Sequence, residues 1–261
     1  MEVVIVESAA AGSELVAGAV AALLRHRPDA VLGVATGSTP LGVYDALVRL
    51  HDESGLSFAR AQAFALDEYV GLPADHPESY RAVLEREFVS RVDFADDALH
   101  TPDGWAADIP AACASYEQAI RTAGGIDLQL LGIGSDGHIG FNEPSSSLAS
   151  LTRVKTLTAA TRADNARFFG DDPQAVPSHV LTQGIGTILR ARHVVLLAWG
   201  AGKAAAVAAA VEGPLTAMIP ASALQLHQHA TVVVDDAAAG QLRHREYYRQ
   251  VYAGKPAWQA L

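Results

Sequence analysis

DLQLLGIGSDGHIGFNEP, residues Asp127–Pro144, is the stretch on which the fold turns. Its first part, Asp127–Gly132, is a nearly unbroken apolar run of the kind found in a strand buried on both faces. Gly132–Gly137 then spells a literal GxGxxG, but a dinucleotide fingerprint has to open a helix. Here Gly140 and Pro144 stand where that helix would run, so the nucleotide reading fails. What remains is a buried strand feeding a long polar loop. Ser135–Leu151 is the longest stretch of the chain without periodicity, and a loop of that length inside a compact domain is usually functional or mobile.

The same alternation continues in both directions. Val3–Val6, Ala30–Ala35, Ala61–Leu66, His193–Ala198 and Thr231–Val234 also read as strands. Between them the spacing predicts helices from Ser8, a cap, to about His26, and over Thr39–Leu50 with Pro40 in its first turn. Further helices are expected over Pro77–Ser90, Ala106–Thr122 (ended by Gly124-Gly125), Lys203–Val211 and Ala237–Tyr252. Apolar strands alternating with helices predict an α/β fold with a mostly parallel sheet and helices on both faces. No repeat, linker or charge block divides the 261 residues, so one domain over 1–261 is expected.

Composition narrows the partners. A formal net charge of −10 argues against nucleic acid, which needs clustered Lys and Arg. It leaves room for a small anion held by local cations and helix N-termini. The one cysteine, Cys113, permits no internal disulfide and lies in an Ala-rich stretch that reads as packing. The N-terminus carries no signal-peptide pattern, and Ala204–Val211 is too short to span a membrane. A cytoplasmic protein with no membrane partner is the expectation.

Four polar or glycine-rich segments each follow a predicted strand: Thr36–Pro40, Asp67-Glu68-Tyr69, Gly134–His138 and Gly200–Lys203. In open α/β sheets ligands bind beyond the carboxyl ends of the strands, so a parallel sheet would gather all four at one edge. Thr36, Gly37 and Ser38 suit a phosphate cradle at a helix N-terminus, or a plain turn with a Thr cap. Lys203, one of three lysines, opens a helix, where a cation opposes the dipole; a bound anion explains its place better. Asp136, His138 and Glu143 fall within eight residues. Carboxylates beside a histidine set its tautomer and pKa, which suits a proton shuttle. A metal site is the rival, with no cysteine and no helical His-x-x-x-His to support it, and none is assigned. Asp67 is either a cap or a base raised in pKa by desolvation. His227-x-His229 carries little weight as a ligand pair.

As a set, ATGSTP (35–40), LDEYVGLP (66–73), HPESY (76–80), GSDGHIGFNEP (134–144) and LQLH (224–227) resemble glucosamine-6-phosphate deaminases. The similarity extends over nearly the whole chain, including Ser146–Thr158, Thr161–Phe169 and Leu181–Leu189. Phosphogluconolactonases share the fold and a GDGH-like loop, without both DEYVGLP and GHIGFNEP. The resemblance implies a Rossmann-like fold and a cofactor-free aldose–ketose isomerisation that releases ammonia. It makes Asp67 the base at C2 and His138 the ring-opening group, tuned by Asp136 and Glu143. It gives the substrate phosphate to Thr36, Gly37, Ser38, Arg167 and Lys203. Some family members are hexamers activated by N-acetylglucosamine 6-phosphate, and Ser146, Ser147, Arg153 and Lys155 match that second site. His193 and Arg249 depart from it, and Ser135 and Gly140 are small departures near the catalytic loop. A homo-oligomer is compatible with this reading. The alternatives are a related lactonase or isomerase, and a non-catalytic sugar-phosphate sensor, which would need a DNA-binding segment that the chain does not display.

Overall fold

The computed structural model describes residues 1–73, 75–256, 258, 259 and 261. Its strands are β1 (Glu2–Val6), β2 (Val31–Val34), β3 (Gln62–Ala65), β4 (Asp67–Tyr69), β5 (Leu99–His100), β6 (Leu128–Leu131), β7 (Arg153–Thr156), β8 (His179–Thr182), β9 (His193–Ala198) and β10 (Ala230–Asp235). Its α-helices are α1 (Ala9–His26), α2 (Ser38–Ser54), α3 (Tyr80–Glu87), α4 (Ile109–Thr122), α5 (Ala159–Asn165), α6 (Ile185–Ile188), α7 (Ala204–Val211) and α8 (Arg245–Ala253).

Seven strands form one sheet in the order β1-β10-β9-β6-β2-β3-β5, and every pairing in it is parallel. Alternate residues of each strand feed two separate cores. Val4, Leu32, Val34, Leu130 and Val195 pack on one face with α1 and α2. Val3, Val31, Leu131, Val194 and Leu196 pack on the other with Tyr116 and Ile120 of α4 and Val207 of α7. This is the expected architecture, helices on both faces of a parallel sheet. Each fully buried Val or Leu adds about 1.5–3 kcal/mol to it. Cys113 is buried on α4, as a packing residue would be.

The second sheet was not expected. β4, β8 and β7 form a three-stranded antiparallel layer. The predicted strand 61–66 therefore does not end at Asp67: the first sheet lets go after Ala65, and Asp67 starts a strand of the second. Helix boundaries shift for identifiable reasons. α3 begins at Tyr80 rather than Pro77 because Ser79 caps it, accepting from the N–H of Ala82 (3.1 Å). α4 begins at Ile109 because Asp108 accepts from the N–H of Ala111 (2.9 Å). The predicted helix 237–252 is a 3₁₀ turn, Ala238–Gln241, followed by α8. Between them the Glu212 carboxylate takes the N–H groups of Arg243 and His244.

Candidate active site

A cavity of about 440 Å³ opens beyond the carboxyl ends of the central strands. Residues from all four predicted segments line it: Thr36, Gly37 and Ser38; Asp67; His138; Lys203. Arg167 lines it as well. Asp136 and Glu143 flank His138 from behind. A wider groove of about 570 Å³ runs along α4, but its Arg81 and His100 are already bonded to Leu99 and Gln62.

The Thr36–Ser38 turn delivers an open helix end. Gly37, not a threonine, is the N-cap of α2, with φ 94°, and among the described residues no side-chain hydrogen bond caps the helix. A Cβ at Gly37 would meet nothing within 4 Å, so it is the positive φ that calls for glycine. The N-terminal N–H groups are thus left for whatever occupies the cavity. Two cations add to that end. Lys203 follows Gly200, whose N–H is held by the Asp235 carboxylate (3.0 Å). Burial lowers the Lys203 pKa, and the positive charge of Arg167 lowers it further, against the pull of Asp164 and Asp136. Two cations near each other in the lining of a cavity that also takes in a helix N-terminus suit a phosphate.

Asp67 is 5 % exposed. Burial pushes its carboxyl up to about 8, the charge of neighbouring Glu68 adds to the shift, and His138 opposes it. A carboxylate so placed is a far stronger base than a solvated one.

His138 owes its position to two contacts. Its ring lies against Gly134, where a Cβ would stand 2.3–2.5 Å from Cε1, Nδ1 and Nε2. Its backbone N–H donates to Oδ1 of Asp136 (3.1 Å), which brings that oxygen 2.7 Å from Nδ1. The approach is off the line of a straight N–H···O bond, so the contact is an ion pair rather than an aligned hydrogen bond. Glu143 Oε2 lies 3.6 Å from the same nitrogen, and Oε1 accepts from the Thr161 hydroxyl (2.7 Å). Burial alone would lower the His138 pKa; the two carboxylates outweigh it and raise it. Glu143 is held down at about 2, first by the neighbouring His138 and then by Asp136 and Thr161, against burial. The three residues also bring one ligand atom each within 4.8 Å of one another, close enough to embrace a cation. The arrangement is that of an imidazole tuned by two nearby charges, with each carboxylate already accepting a hydrogen bond from a defined donor, the His138 N–H for Asp136 and the Thr161 hydroxyl for Glu143.

The second predicted set lies apart from the cavity lining. Ser146 is buried, and its Oγ has no partner among the described residues. Ser147 Oγ accepts from the N–H of Ala149, and Lys155 is on β7. Arg153 donates to Asn142 Oδ1 (2.9 Å), one residue from Glu143. His193 is at the opposite edge of the sheet, its ring stacked on His229 at 3.7 Å, and Arg249 pairs with Asp236. His227 bonds to the Ala191 carbonyl and the His229 N–H, so both of its nitrogens are in use.

Tyr69 and Tyr80, joined hydroxyl to hydroxyl at 3.2 Å, line the cavity with Thr161, Asp164, Phe168 and Phe169. Sequence reasoning named the stretches that supply the rest of the lining but gave these residues no role. Apart from Tyr69 on β4, they come from α3 and the α5 region, where no buried strand announces a site. The one local signal was Thr158, which caps α5 by accepting from the N–H of Thr161.

Comparison with known proteins follows the same lines. A family model described as glucosamine-6-phosphate isomerases/6-phosphogluconolactonase matches residues 6–233. The chain is 64 % identical over 261 residues to a glucosamine-6-phosphate deaminase of Streptomyces coelicolor, covering all of both chains. It is 60 % identical, again over all of both chains, to one of Mycolicibacterium smegmatis. A solved monomeric glucosamine-6-phosphate deaminase superposes with a TM-score of 0.90 at 43 % identity, over 92 % of this chain and 100 % of that one. The 6-phosphogluconolactonase of Trypanosoma cruzi shares the fold, with a TM-score of 0.73 at 22 % identity over 93 % and 97 % of the two chains.

Proposed function

The chain belongs to the glucosamine-6-phosphate isomerase/6-phosphogluconolactonase family, and from that premise we propose how it works as a glucosamine-6-phosphate deaminase, turning glucosamine 6-phosphate and water into fructose 6-phosphate and ammonia. The phosphate sits on the open end of α2, at Thr36, Gly37 and Ser38, with Lys203 and Arg167 neutralising it. His138 moves the proton of the anomeric hydroxyl to the ring oxygen, which opens the pyranose. Asp136 and Glu143 hold the imidazole and stabilise its charged form during that transfer. Only the open chain has a C1 carbonyl to acidify the C2 hydrogen. Asp67 then takes that proton as C1 and C2 become an enolamine, and returns it to C1. The C2 imine that results adds water and expels ammonia.

Two separately tuned groups are needed because ring opening and carbon deprotonation act on different atoms. Acid–base help is worth about 10²–10⁴-fold, and anchoring the phosphate supplies further acceleration by orientation. The observation that carries the reading is the shared cavity. A buried carboxylate and a carboxylate-flanked imidazole line the same space as two cations and a helix N-terminus. Lactone hydrolysis needs a base for water but no second group at C2, so Asp67 favours the deaminase over the lactonase. The chemistry is acid–base throughout and calls for no cofactor. A cytoplasmic setting accompanies the reading and agrees with the unpaired Cys113. For Ser146, Ser147, Arg153 and Lys155, activation by N-acetylglucosamine 6-phosphate remains the proposed role, relayed to Glu143 through Asn142. The test is ammonia release from glucosamine 6-phosphate beside hydrolysis of 6-phosphogluconolactone. The reading expects the first, abolished by Asp67→Asn; lactone hydrolysis without ammonia release would refute it.

A further inference from the structure

Glu68 stands next to the proposed base, yet it does not line the cavity. Successive side chains of a strand point to opposite faces. Asp67 and Tyr69 of β4 face the cavity, and Glu68 between them turns away into the protein, 7 % exposed. A buried carboxylate needs donors, and this one has three. Oε1 accepts from the N–H groups of Tyr69 (2.8 Å) and Tyr80 (2.9 Å), and Oε2 from that of Arg81 (2.9 Å). Tyr80 and Arg81 are the first two residues of α3. The next N–H, of Ala82, goes to the Ser79 hydroxyl, and that of Val83 to the Ser79 carbonyl. The whole N-terminal turn of α3 is therefore satisfied, half of it by a side chain from the strand that holds Asp67. α3 in turn supplies Tyr80, Val83, Arg86 and Glu87 to the cavity wall.

We propose that Glu68 is a positioning residue for the Asp67 carboxylate: its buried side chain fixes α3 as a wall of the cavity and keeps a negative charge beside the base. The inference rests on Asp67 being the base. The titratable groups that act on Asp67 are Glu68, on the other face of its own strand, His138 from the loop after β6, Tyr80 from α3 and Tyr116 from α4, with Tyr69 two residues along β4. Of these, Glu68 is the group whose negative charge raises the pKa of Asp67, and His138 opposes it. Burial raises the pKa of Glu68 itself; the three N–H groups and Arg81 pull it back towards the ionised form. A plain helix cap would stabilise α3 and leave the chemistry alone. Glu68 as a positioning residue couples the helix to the base.

Two variants separate these roles, each assayed for kcat and KM from about pH 5 to 10 with ammonia as the product. Glu68→Gln keeps the size, removes the charge and turns an amide N–H₂ against a backbone N–H. The acid limb of kcat/KM should move to lower pH, and KM should rise about tenfold, the scale of one charge-assisted bond. Glu68→Asp keeps the charge but is one methylene too short to hold both N–H groups of α3. KM should rise while the acid limb stays where it is in the parent. An acid limb unmoved in Glu68→Gln, with only thermal stability reduced, overturns the inference. If Glu68→Gln does not fold, Glu68→Asp decides alone, since an unchanged KM also overturns it. The underlying reading fails differently: the parent releases no ammonia, or Asp67→Asn still turns over. An active parent, an inactive Asp67→Asn and unmoved Glu68 variants sink only the role given to Glu68.

Discussion

Gly134→Ala should disable ring opening without removing any polar group. The added Cβ would stand 2.3 Å from Cε1 of His138, 2.4 Å from Nδ1 and 2.5 Å from Nε2. Ordinary contact is about 3.5–4.0 Å, so the imidazole must retreat by roughly 1 Å or more. It cannot keep its place on the way out, because Nδ1 is already 2.7 Å from Asp136 Oδ1 and 3.6 Å from Glu143 Oε2. A displacement of that size in a catalytic group costs on the order of 10²-fold in rate. We expect kcat/KM for ammonia release from glucosamine 6-phosphate to fall by about that factor. Exchange of the C2 proton of an open-chain analogue, which bypasses ring opening, should be largely spared. Gly18→Ala is the control: a Cβ there meets nothing within 4 Å, and in α1 it should add about 0.5–1 kcal/mol of stability with unchanged turnover. Full activity in Gly134→Ala, or equal losses on the cyclic and open-chain compounds, would refute the assignment of His138 to ring opening.

Three further outcomes follow from the charges. Burial pushes the Asp67 carboxyl up to about 8, so with Asp67 as the proposed base kcat/KM should climb with pH and level off above about pH 8; a flat profile from pH 6 upward would contradict the proposed role. The unfolded chain ionises Asp67 near 3.8 and the folded chain near 8, so the buried group penalises folding increasingly as pH rises between those values. Asp67→Asn should therefore be inactive yet more stable at pH 7, by about 2–4 kcal/mol or roughly 5–10 °C in Tm, and a lower Tm would argue against the burial. His193 is depressed to about 3, by burial first and then by the charges of His229, His227 and Lys255. Its contribution to stability is intact above about pH 6.5 and lost as pH falls towards 3, at about 1 kcal/mol per pH unit. His193→Gln should flatten the melting temperature between pH 6.5 and 5, and a parent with no slope there would remove the argument.

Much of this was legible in the sequence. The strands β1, β2, β3, β6, β9 and β10 were each visible as mainly apolar runs because a parallel strand in the middle of such a sheet is buried on both faces and carries few polar residues, Gln129 in β6 being one. β5 was not, since Leu99-His100 is too short to carry a pattern. The small antiparallel sheet was hidden for a different reason. Arg153–Thr156 alternates partly buried and exposed residues, and Asp67-Glu68-Tyr69 buries two carboxylates that look like loop residues from outside. Four segments placed after strands pointed to one edge of the sheet, and with them to Asp67, His138 and Lys203. The roles of Glu68, Thr161 and Tyr80 stayed out of view because their meaning lies in contacts across 12 residues (Glu68 to Tyr80) and 18 residues (Thr161 to Glu143), which no local pattern encodes.

The carbon proton offers the most direct test of the whole account. Glucosamine 6-phosphate carrying deuterium at C2 would be converted by the parent and by Asp67→Asn, with product and solvent followed by NMR. We predict that the parent passes part of the label to C1 of fructose 6-phosphate and the rest to water, and that Asp67→Asn leaves the label on C2 while still binding the sugar. Retained transfer in Asp67→Asn, or ammonia release by the parent with the C2 label untouched, would contradict it.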